Sequence, residues 1–288
     1  YNEILELEEA YLEDRNGKYD APANSAYLSR VQIGNPGGSI YGFRYKGVYR
    51  YSYKNWEKAL AEEAAGRNGT CPIVRDADGN VVFNADGTPK KMALFFDNEE
   101  LTTYNGYEFR GGDAIYEDVN HDGTINQLDI VYLGNSHPKP QGGFGLTYRY
   151  DVDVVNNARM NFENMATFNN QSKAVNWRWR KEGDITEVPR AVYGSSNTYN
   201  YLGSDRYVED GSYIRLSYVQ LSYSFEPEWL KKIGLTSLNM YASADNVCFW
   251  TKYTGLDPEV PCGGGGIAYD GSKTPRSRSY TLSLSVGF

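Results

Sequence analysis

The sequence predicts an all-β fold, and more specifically a transmembrane antiparallel β-barrel with long extracellular loops. Three observations predict it: apolar residues that alternate with polar ones over long segments, an aromatic content dominated by tyrosine, and connections of alternating length. Tyrosine contributes 26 of the 288 residues. Because its ring has an apolar body and a polar tip, tyrosine is typical of surfaces that are wet on one side, such as a membrane interface.

The alternation is clearest at the C-terminal end of the chain. There the apolar residues of one parity are Tyr280, Leu282, Leu284, Val286 and Phe288. Two long strands are predicted before this segment, at about 213–225 and 238–249. The apolar parity of the first strand switches between Tyr218 and Val219, which indicates a β-bulge.

Two earlier segments show the same alternation. In residues 39–51 one parity is almost entirely aromatic, with Tyr41, Phe43, Tyr45, Tyr49 and Tyr51. Residues 143–150 repeat the scheme with Phe144, Leu146, Tyr148 and Tyr150. We expect the apolar parity of every strand to face lipid and the polar parity to face a wet lumen. A soluble β-sandwich with one apolar face per sheet is the alternative.

The lengths of the strands and connections favour the barrel. The predicted strands run to about ten residues or more, which is long enough to cross a bilayer at a tilt. The connection 226–237 is short and the connection 250–277 is long, as in membrane barrels with short turns on one side. A helix predicted at 54–65 and a small hairpin at 76–89 would decorate a long loop.

Composition and motifs argue against several functional classes. The 29 basic and 37 acidic residues give a net charge of −8 without a basic stripe, so no nucleic-acid partner is predicted. The sequence contains no signature of a nucleophilic hydrolase, a zinc protease or a nucleotide-binding loop, so we predict no catalytic residues and no enzyme activity. Cys71, Cys248 and Cys262 have no metal-ligand spacing and leave the disulfide state open.

Residues 118–129 have the spacing of a calcium-binding loop. The candidate oxygen ligands are Asp118, Asn120, Asp122, Thr124 (through its carbonyl) and Asp129. Gly123 stands where such loops turn sharply, although Asp129 replaces the usual glutamate. The alternative is a turn held by hydrogen bonds between side chains and backbone. A Ca²⁺ ion here would be structural, and the sequence suggests no other cofactor.

An aromatic and basic stretch in a predicted loop is a candidate ligand or partner surface. It consists of Trp177, Arg178, Trp179 and Arg180, together with Tyr199 and Tyr201. Aromatic faces can stack on sugar rings or peptide side chains, and arginine binds carboxylates through two parallel hydrogen bonds. The alternative is that these side chains only pack the loop against its neighbours.

Several motifs, in order, resemble those of the SusC/RagA family of TonB-linked outer-membrane proteins. Residues 112–125 read GDAIYEDVNHDGTI, which is similar to the family signature GD-x-x-Y-x-D-x-N-x-D-G-x-I. The following motifs also resemble the family: GNSHPKP at 134–140, GGFG at 142–145, SDRYVEDGSYIRL at 204–216, DNV at 245–247, YTGLDPE at 253–259 and SVGF at 285–288.

The resemblance implies that residues 1–288 are the C-terminal part of a 22-stranded TonB-dependent transporter barrel in the bacterial outer membrane. The extracellular loops would be about 52–106, 116–142, 156–210 and 250–278, and the plug domain would lie outside this chain. Phe288 would be the signal read by the barrel-assembly machinery. At Tyr150, where the family makes a turn and a further strand, the chain runs directly into Asp151, so we expect residues to be absent there.

The resemblance also implies a function and partners. A SusC/RagA importer takes up oligosaccharides or peptides with a SusD-like surface lipoprotein, works as a dimer of such pairs, and is driven by the TonB complex through residues outside this chain. The competing functions are a secreted calcium-binding β-sandwich adhesin or carbohydrate-binding module, and a surface glycan hydrolase with two facing carboxylates.

Overall fold

The computed structural model describes residues 4–5, 27, 32–94, 106–138, 141–143, 145–165, 170–194, 199–262 and 266–288. Phe144, one of the alternating apolar residues of segment 143–150, lies outside these ranges. Within them the chain is mostly strand with few helices, which confirms the all-β class. The described strands form one five-stranded sheet and four smaller sheets, and the smaller sheets with the segments packed on them are called the body here.

The elements follow in chain order. The first strands are β1 (Ser39–Gly42), β2 (Tyr45–Val48), β3 (Ala93–Leu94), β4 (Tyr107–Glu108), β5 (Ala114–Tyr116), β6 (Thr124–Ile125) and β7 (Val131–Asn135). They are followed by β8 (Gln141–Gly143), β9 (Leu146–Arg149), β10 (Asp153–Val155), β11 (Val208–Asp210), β12 (Tyr213–Ser224), β13 (Ser237–Thr251) and β14 (Ser279–Gly287). The described α-helices are α1 (Trp56–Ala64), α2 (Asn157–Glu163) and α3 (Pro227–Lys231).

The long sheet has the order β14-β13-β12-β9-β8 and is antiparallel throughout. In the β13–β14 register Ala242 lies opposite Leu282, whereas Tyr241 lies opposite Ser283. Because successive side chains point to opposite faces, one face carries an apolar ladder and the other carries mainly hydroxyl and amide groups. The three long strands predicted from the alternation are confirmed.

The predicted β-bulge in β12 is present. The backbone N–H groups of Ser217 and Tyr218 both donate to the carbonyl oxygen of Gly145, at 3.0 and 3.3 Å. The register with β13 also shifts at this point, where Asn246 adopts a φ of 51°. The extra residue lets Leu216 and Val219 face the same side of the sheet despite their odd spacing.

Residues 143–150 do not form one strand, as the sequence predicts, but belong to a hairpin. β8 and β9 pair with each other, with Gly143 opposite Thr147, and the chain reverses at Gly145, whose φ is 66°. Glycine adopts this left-handed conformation without steric cost. The chain turns again at Asp151, whose φ is 55°.

Residues 39–51 do not form a membrane-facing strand either. They are divided into β1, which pairs with β7, and β2, which pairs with β5. Tyr41, Phe43, Tyr49 and Tyr51 are buried, and so are all four residues of β1. Alternation indicates that one face of a segment is apolar, but it does not identify what covers that face. Here other parts of the chain cover it.

The body is held together by hydrophobic clusters. The largest contains Phe43, Tyr49, Leu94, Phe109 and Tyr116, and it joins residues that flank β2 to residues in or next to β3, β4 and β5. A second cluster packs α2 and the segment around Tyr201 against β1. The pairings β1–β7, β2–β5, β10–β11 and β4-β3-β6 belong to this body.

The predicted helix and hairpin are confirmed. In α1, Trp56, Ala59 and Leu60 pack against Cys71 and Ile73, as expected for one apolar helix face. In segment 76–89, turns close with hydrogen bonds from Gly79 to Asp76 and from Gly87 to Asn84, at 3.0 and 3.1 Å. None of the helices in the described ranges is long and apolar enough to span a membrane.

Candidate functional site

The apolar face of the long sheet is the first functional feature. Leu221, Leu282 and Leu284 are 69, 68 and 61% exposed, and Tyr280 and Val286 continue the same ladder. Burying one such side chain is worth about 1.5–3 kcal/mol, so a continuous exposed ladder indicates a surface that contacts something apolar. No second sheet covers this face in the described part of the chain, as a β-sandwich would require.

The opposite face of the sheet is polar. On β14 it carries Ser279, Thr281, Ser283 and Ser285, which pair with Asp245, Ser243, Tyr241 and Asn239 of β13. Further along the sheet, the hydroxyls of Thr147 and Ser217 lie 2.7 Å apart. A face of this composition is suited to water and unsuited to a dry protein core.

A buried arginine connects the polar face to the long connection after β13. Arg215 of β12 forms an ion pair with Asp257 at 2.5 Å and another with Glu259 at 3.4 Å. Its guanidinium also lies 5.0 Å from the ring centroid of Phe249. Glu259 in turn binds Arg276 at 2.7 Å. These contacts hold Asp257, Glu259 and Arg276 over one end of the sheet.

A second charge network stabilises the body. The buried carboxylate of Glu163 in α2 accepts hydrogen bonds from Arg206 at 2.9 Å and from Arg159 at 3.0 Å. Arg159 also pairs with Glu209 at 3.3 Å. Burial raises the pKa of Glu163, but the two guanidinium groups outweigh this effect and hold its pKa below the ordinary value.

The calcium-like loop is a tightly hydrogen-bonded turn. Asp118 accepts hydrogen bonds from the N–H groups of Asp122 and Gly123, at 3.2 and 2.8 Å. Asp129 accepts hydrogen bonds from Val119 and Asn126, both at 2.8 Å. In the described ranges, no group of three or more histidine, cysteine, aspartate or glutamate side chains is arranged to hold a metal ion. These side-chain to backbone hydrogen bonds shape the loop.

The aromatic and basic stretch is divided between exposed and buried positions. Trp177 is 79% exposed, and Arg178 and Arg180 donate to carbonyls within the same loop, those of Val175 and Asn176. Trp179 donates to the carbonyl of Arg50 at 3.2 Å. Of this stretch, Trp177 is the aromatic side chain most open to a partner.

The two tyrosines predicted with this stretch lie elsewhere. Tyr201 is only 1% exposed, and its hydroxyl donates to the carbonyl of Glu163 at 3.0 Å. A direct ligand contact by Tyr201 is therefore wrong, because the side chain is part of the core. Tyr199 is half-buried and lines a cleft.

That cleft was not predicted from the sequence. It has a volume of about 800 Å³, and its lining includes Tyr53, Lys54, Lys91, Tyr107, Arg110 and Tyr199. These residues come from segments that are far apart in the chain, and no local motif links them. Only the pairing of β3 with β4 and the packing of α1 bring them together.

Comparison with known proteins gives relatives of one kind, the TonB-dependent receptors. TonB-dependent receptor P39 of Formosa agariphila is 26% identical over 306 residues, which cover 100% of this chain and 27% of the receptor. TonB-dependent receptor P26 of the same organism is 32% identical, over 62% of this chain and 20% of the receptor. TonB-dependent receptor SusC of Bacteroides thetaiotaomicron is 32% identical over 36% of this chain and 10% of its own length. No family model matches the chain.

Solved structures show the same fold. The structure of the RagAB peptide transporter matches with a TM-score of 0.56 and 16% identity, over 90% of this chain and 23% of the matched chain. The open-open state of the RagAB peptide importer matches with a TM-score of 0.51, also at 16% identity, over 94% of this chain and 24% of the matched chain.

The relatives are all TonB-dependent receptors, and the solved structures share the strand-rich fold of this chain. The similarity to these receptors and to SusC agrees with the resemblance predicted from the motifs. It spans about a quarter of the length of the first relatives. The relatives are named as receptors and transporters, which agrees with the prediction that the protein is not an enzyme.

Proposed function

We propose that this chain forms the C-terminal part of the wall of a TonB-dependent importer in the bacterial outer membrane. The exposed apolar ladder on β12, β13 and β14 carries this proposal, because a lipid-facing surface explains why large apolar side chains are left uncovered. The names of the relatives support the importer assignment. Phe288, almost fully exposed after β14, would be the barrel-assembly signal.

The whole barrel would have 22 strands, of which this chain supplies the last ones. Residues 52–106, 116–142, 156–210 and 250–278 would form its extracellular face, and a plug from residues outside the chain would gate the lumen. The ion pairs of Arg215 support this arrangement, since they hold residues of the last segment over one end of the polar face.

The partners would be a SusD-like lipoprotein, the TonB complex and a second SusC–SusD pair. The similarity to SusC supports the first of these, and the structural likeness to the RagAB peptide transporter makes peptides one candidate substrate beside oligosaccharides. Trp177, exposed next to Arg178, is the side chain we propose for contact with a ligand or partner.

We also propose that the loop 118–129 can bind Ca²⁺ as a structural ion. The side chains of Asp118 and Asn120 support this, because an oxygen of each accepts a hydrogen bond from the same backbone N–H, that of Asp122, at 3.2 and 3.1 Å, so two of the candidate ligand oxygens lie close together. The backbone already satisfies Asp118, so the ion would add stability to a turn that is formed without it.

Uptake by living cells tests the importer proposal. Labelled peptides and labelled oligosaccharides are the two candidate substrates. Cells that lack the full-length gene should lose uptake of one of them, and cells that lack TonB should show the same loss. Uptake that is independent of TonB, or a protein that fractionates away from the outer membrane, would contradict the proposal.

A further inference from the structure

A cavity lies at one end of the polar face of the long sheet. Its lining comes from Arg149 at the end of β9 and from the connection between β13 and β14, over parts of 257–261 and 270–276. Arg149 lies on the polar face because it is two residues after Thr147 in the same strand. The cavity has a volume of about 420 Å³, which suits the end of a chain or one small ligand.

Four charged groups at this cavity neutralise one another. Asp257 and Glu259 line it, and both form ion pairs with Arg215, at 2.5 and 3.4 Å. Arg276, which also lines it, forms an ion pair with Glu259 at 2.7 Å. These two cations and two carboxylates cancel, so the charge offered to a ligand depends on the remaining groups.

Three charged groups of the lining remain, and they are not paired with one another. Arg149 and Lys273 form no ion pair within the described residues. Asp270 is only 5% exposed, and its carboxylate forms no ion pair in that part of the chain either. Two cations against one carboxylate leave one positive charge in excess, which favours a ligand with a single negative charge.

These groups are positioned before any ligand arrives. The guanidinium of Arg149 lies 6.0 Å from the ring centroid of Tyr213, which is its partner in the β9–β12 register. The carboxylate of Asp270 accepts hydrogen bonds from the hydroxyl of Tyr253 at 2.7 Å and from the backbone N–H of Ser272 at 3.0 Å. Donors and acceptors that are already fixed lose little conformational entropy when a ligand binds.

The lining favours the end of a peptide over a sugar. Arginine and lysine bind a carboxylate, and a carboxylate such as that of Asp270 accepts from the N–H groups that a peptide carries next to its C-terminus. Val260 and Pro261 give the lining an apolar part that the last side chain of a peptide can contact. Among the described residues of the lining there is no aromatic ring on which a sugar would stack.

We propose that this cavity binds the C-terminal carboxylate of a peptide. Arg149 and Lys273 hold the carboxylate, and Asp270 accepts a hydrogen bond from the last amide N–H of the peptide. The bound carboxylate supplies the one negative charge that the cavity lacks. The inference rests on the proposed function, since it makes peptides with a free C-terminus the substrates that pass along the polar face.

Fluorescence anisotropy on the full-length protein in detergent tests the proposal. The probe is a short alanine-rich peptide that is labelled at its N-terminus and has a free C-terminal carboxylate. Its matched control is the same peptide with a C-terminal amide. The free acid should bind at least about tenfold more tightly than the amide, and high ionic strength should weaken this preference. Equal affinities of the two peptides, or no binding of the free acid, would overturn the proposal.

Variants locate the site. The double variant Arg149→Gln/Lys273→Gln should bind the free acid no more tightly than the wild type binds the amide. The matched control is Lys252→Gln/Arg278→Gln, which removes one lysine and one arginine from exposed positions outside the lining and should keep the full preference. Circular dichroism confirms that each variant is folded. An unchanged preference for the free acid in the first double variant would overturn the proposal.

Two further results separate this site from a sugar site and from the importer proposal. A short oligogalacturonate should compete poorly with the free acid; competition as strong as that of the unlabelled peptide would overturn the proposal in favour of an anionic sugar site. If uptake depends on TonB but the wild type does not distinguish the two peptides, only this site is rejected. If the wild type prefers the free acid but uptake is independent of TonB, only the importer is rejected.

Discussion

The guanidinium of Arg215 lies 2.5 Å from the carboxylate of Asp257, and this contact joins the polar face of the long sheet to the segment that follows β13. Arg215 is only 3% exposed, so the ion pair is shielded from water. Removing one partner of a buried pair leaves the other charge uncompensated, which is costly.

Arg215→Met should therefore destabilise the protein by about 3 kcal/mol, because Asp257 and Glu259 lose their shared cation. Thermal melts monitored by tryptophan fluorescence measure this loss. Arg276→Met provides the control, since Arg276 binds the same Glu259 but is 57% exposed, and it should cost less than about 1 kcal/mol. Similar losses for the two variants would contradict the buried link.

Glu163 should make the stability of the body dependent on acidic pH. Its pKa in the folded protein is lowered by Arg206 and Arg159, so the carboxylate stabilises the fold above its unfolded pKa of about 4.3 and stops doing so as the pH falls through the lower, folded value. Glu163→Gln should therefore flatten the decline in melting temperature below about pH 4.3.

The matched control for this acid dependence is Glu62→Gln. Glu62 also binds an arginine, Arg67 at 2.6 Å, but on the surface. We expect the pH profile of this variant to follow the wild type. If Glu163→Gln leaves the acid side of the profile unchanged, Glu163 is not the group responsible.

Replacing Gly69 with a larger residue should destabilise the protein. A Cβ at this position would collide with the carbonyl oxygen of Ala59 in α1, a backbone atom that cannot move without distorting the helix. Gly69→Ala should cost about 1–3 kcal/mol in a chemical unfolding experiment. Gly271→Ala, where a Cβ meets nothing within 4 Å, should be nearly neutral. Equal effects of the two substitutions would be evidence against this packing of α1.

The calcium proposal predicts a difference between Ca²⁺ and a chelator. The melting temperature of the wild type should rise when Ca²⁺ replaces EDTA, and Asp118→Ala and Asp122→Ala should remove that rise. Because Asp118 also accepts backbone hydrogen bonds, its variant should melt lower even in EDTA. A wild type with the same melting temperature in both buffers would show that the loop is only a hydrogen-bonded turn.

The sequence predicts β12, β13 and β14 of the long sheet correctly because each of these strands carries enough alternating residues to define a face. For residues 39–51 the same pattern leads to a wrong interpretation, since Tyr41 and Tyr49 are covered by other parts of the chain and not by lipid. Alternation reports the polarity of a face, but the partner of that face depends on tertiary contacts.

The cleft could not be predicted for a related reason. Tyr53, Lys91, Tyr107 and Tyr199 are neighbours only because β3 pairs with β4 and the body folds around them. Tyr199 and Tyr201 illustrate the same limit. They are two residues apart in the sequence, but Tyr201 is buried in the core and Tyr199 lines the cleft.

Site-directed spin labelling of β14 tests the central claim most directly. Single cysteines at Leu282, Ser283, Leu284 and Ser285 of the full-length protein in lipid vesicles would be labelled, and collision with oxygen would be compared with collision with a water-soluble nickel complex. We predict that labels at Leu282 and Leu284 collide mainly with oxygen in the bilayer, while those at Ser283 and Ser285 collide mainly with nickel. Equal accessibility along the strand, or the reverse pattern, would contradict a wall whose apolar face contacts lipid.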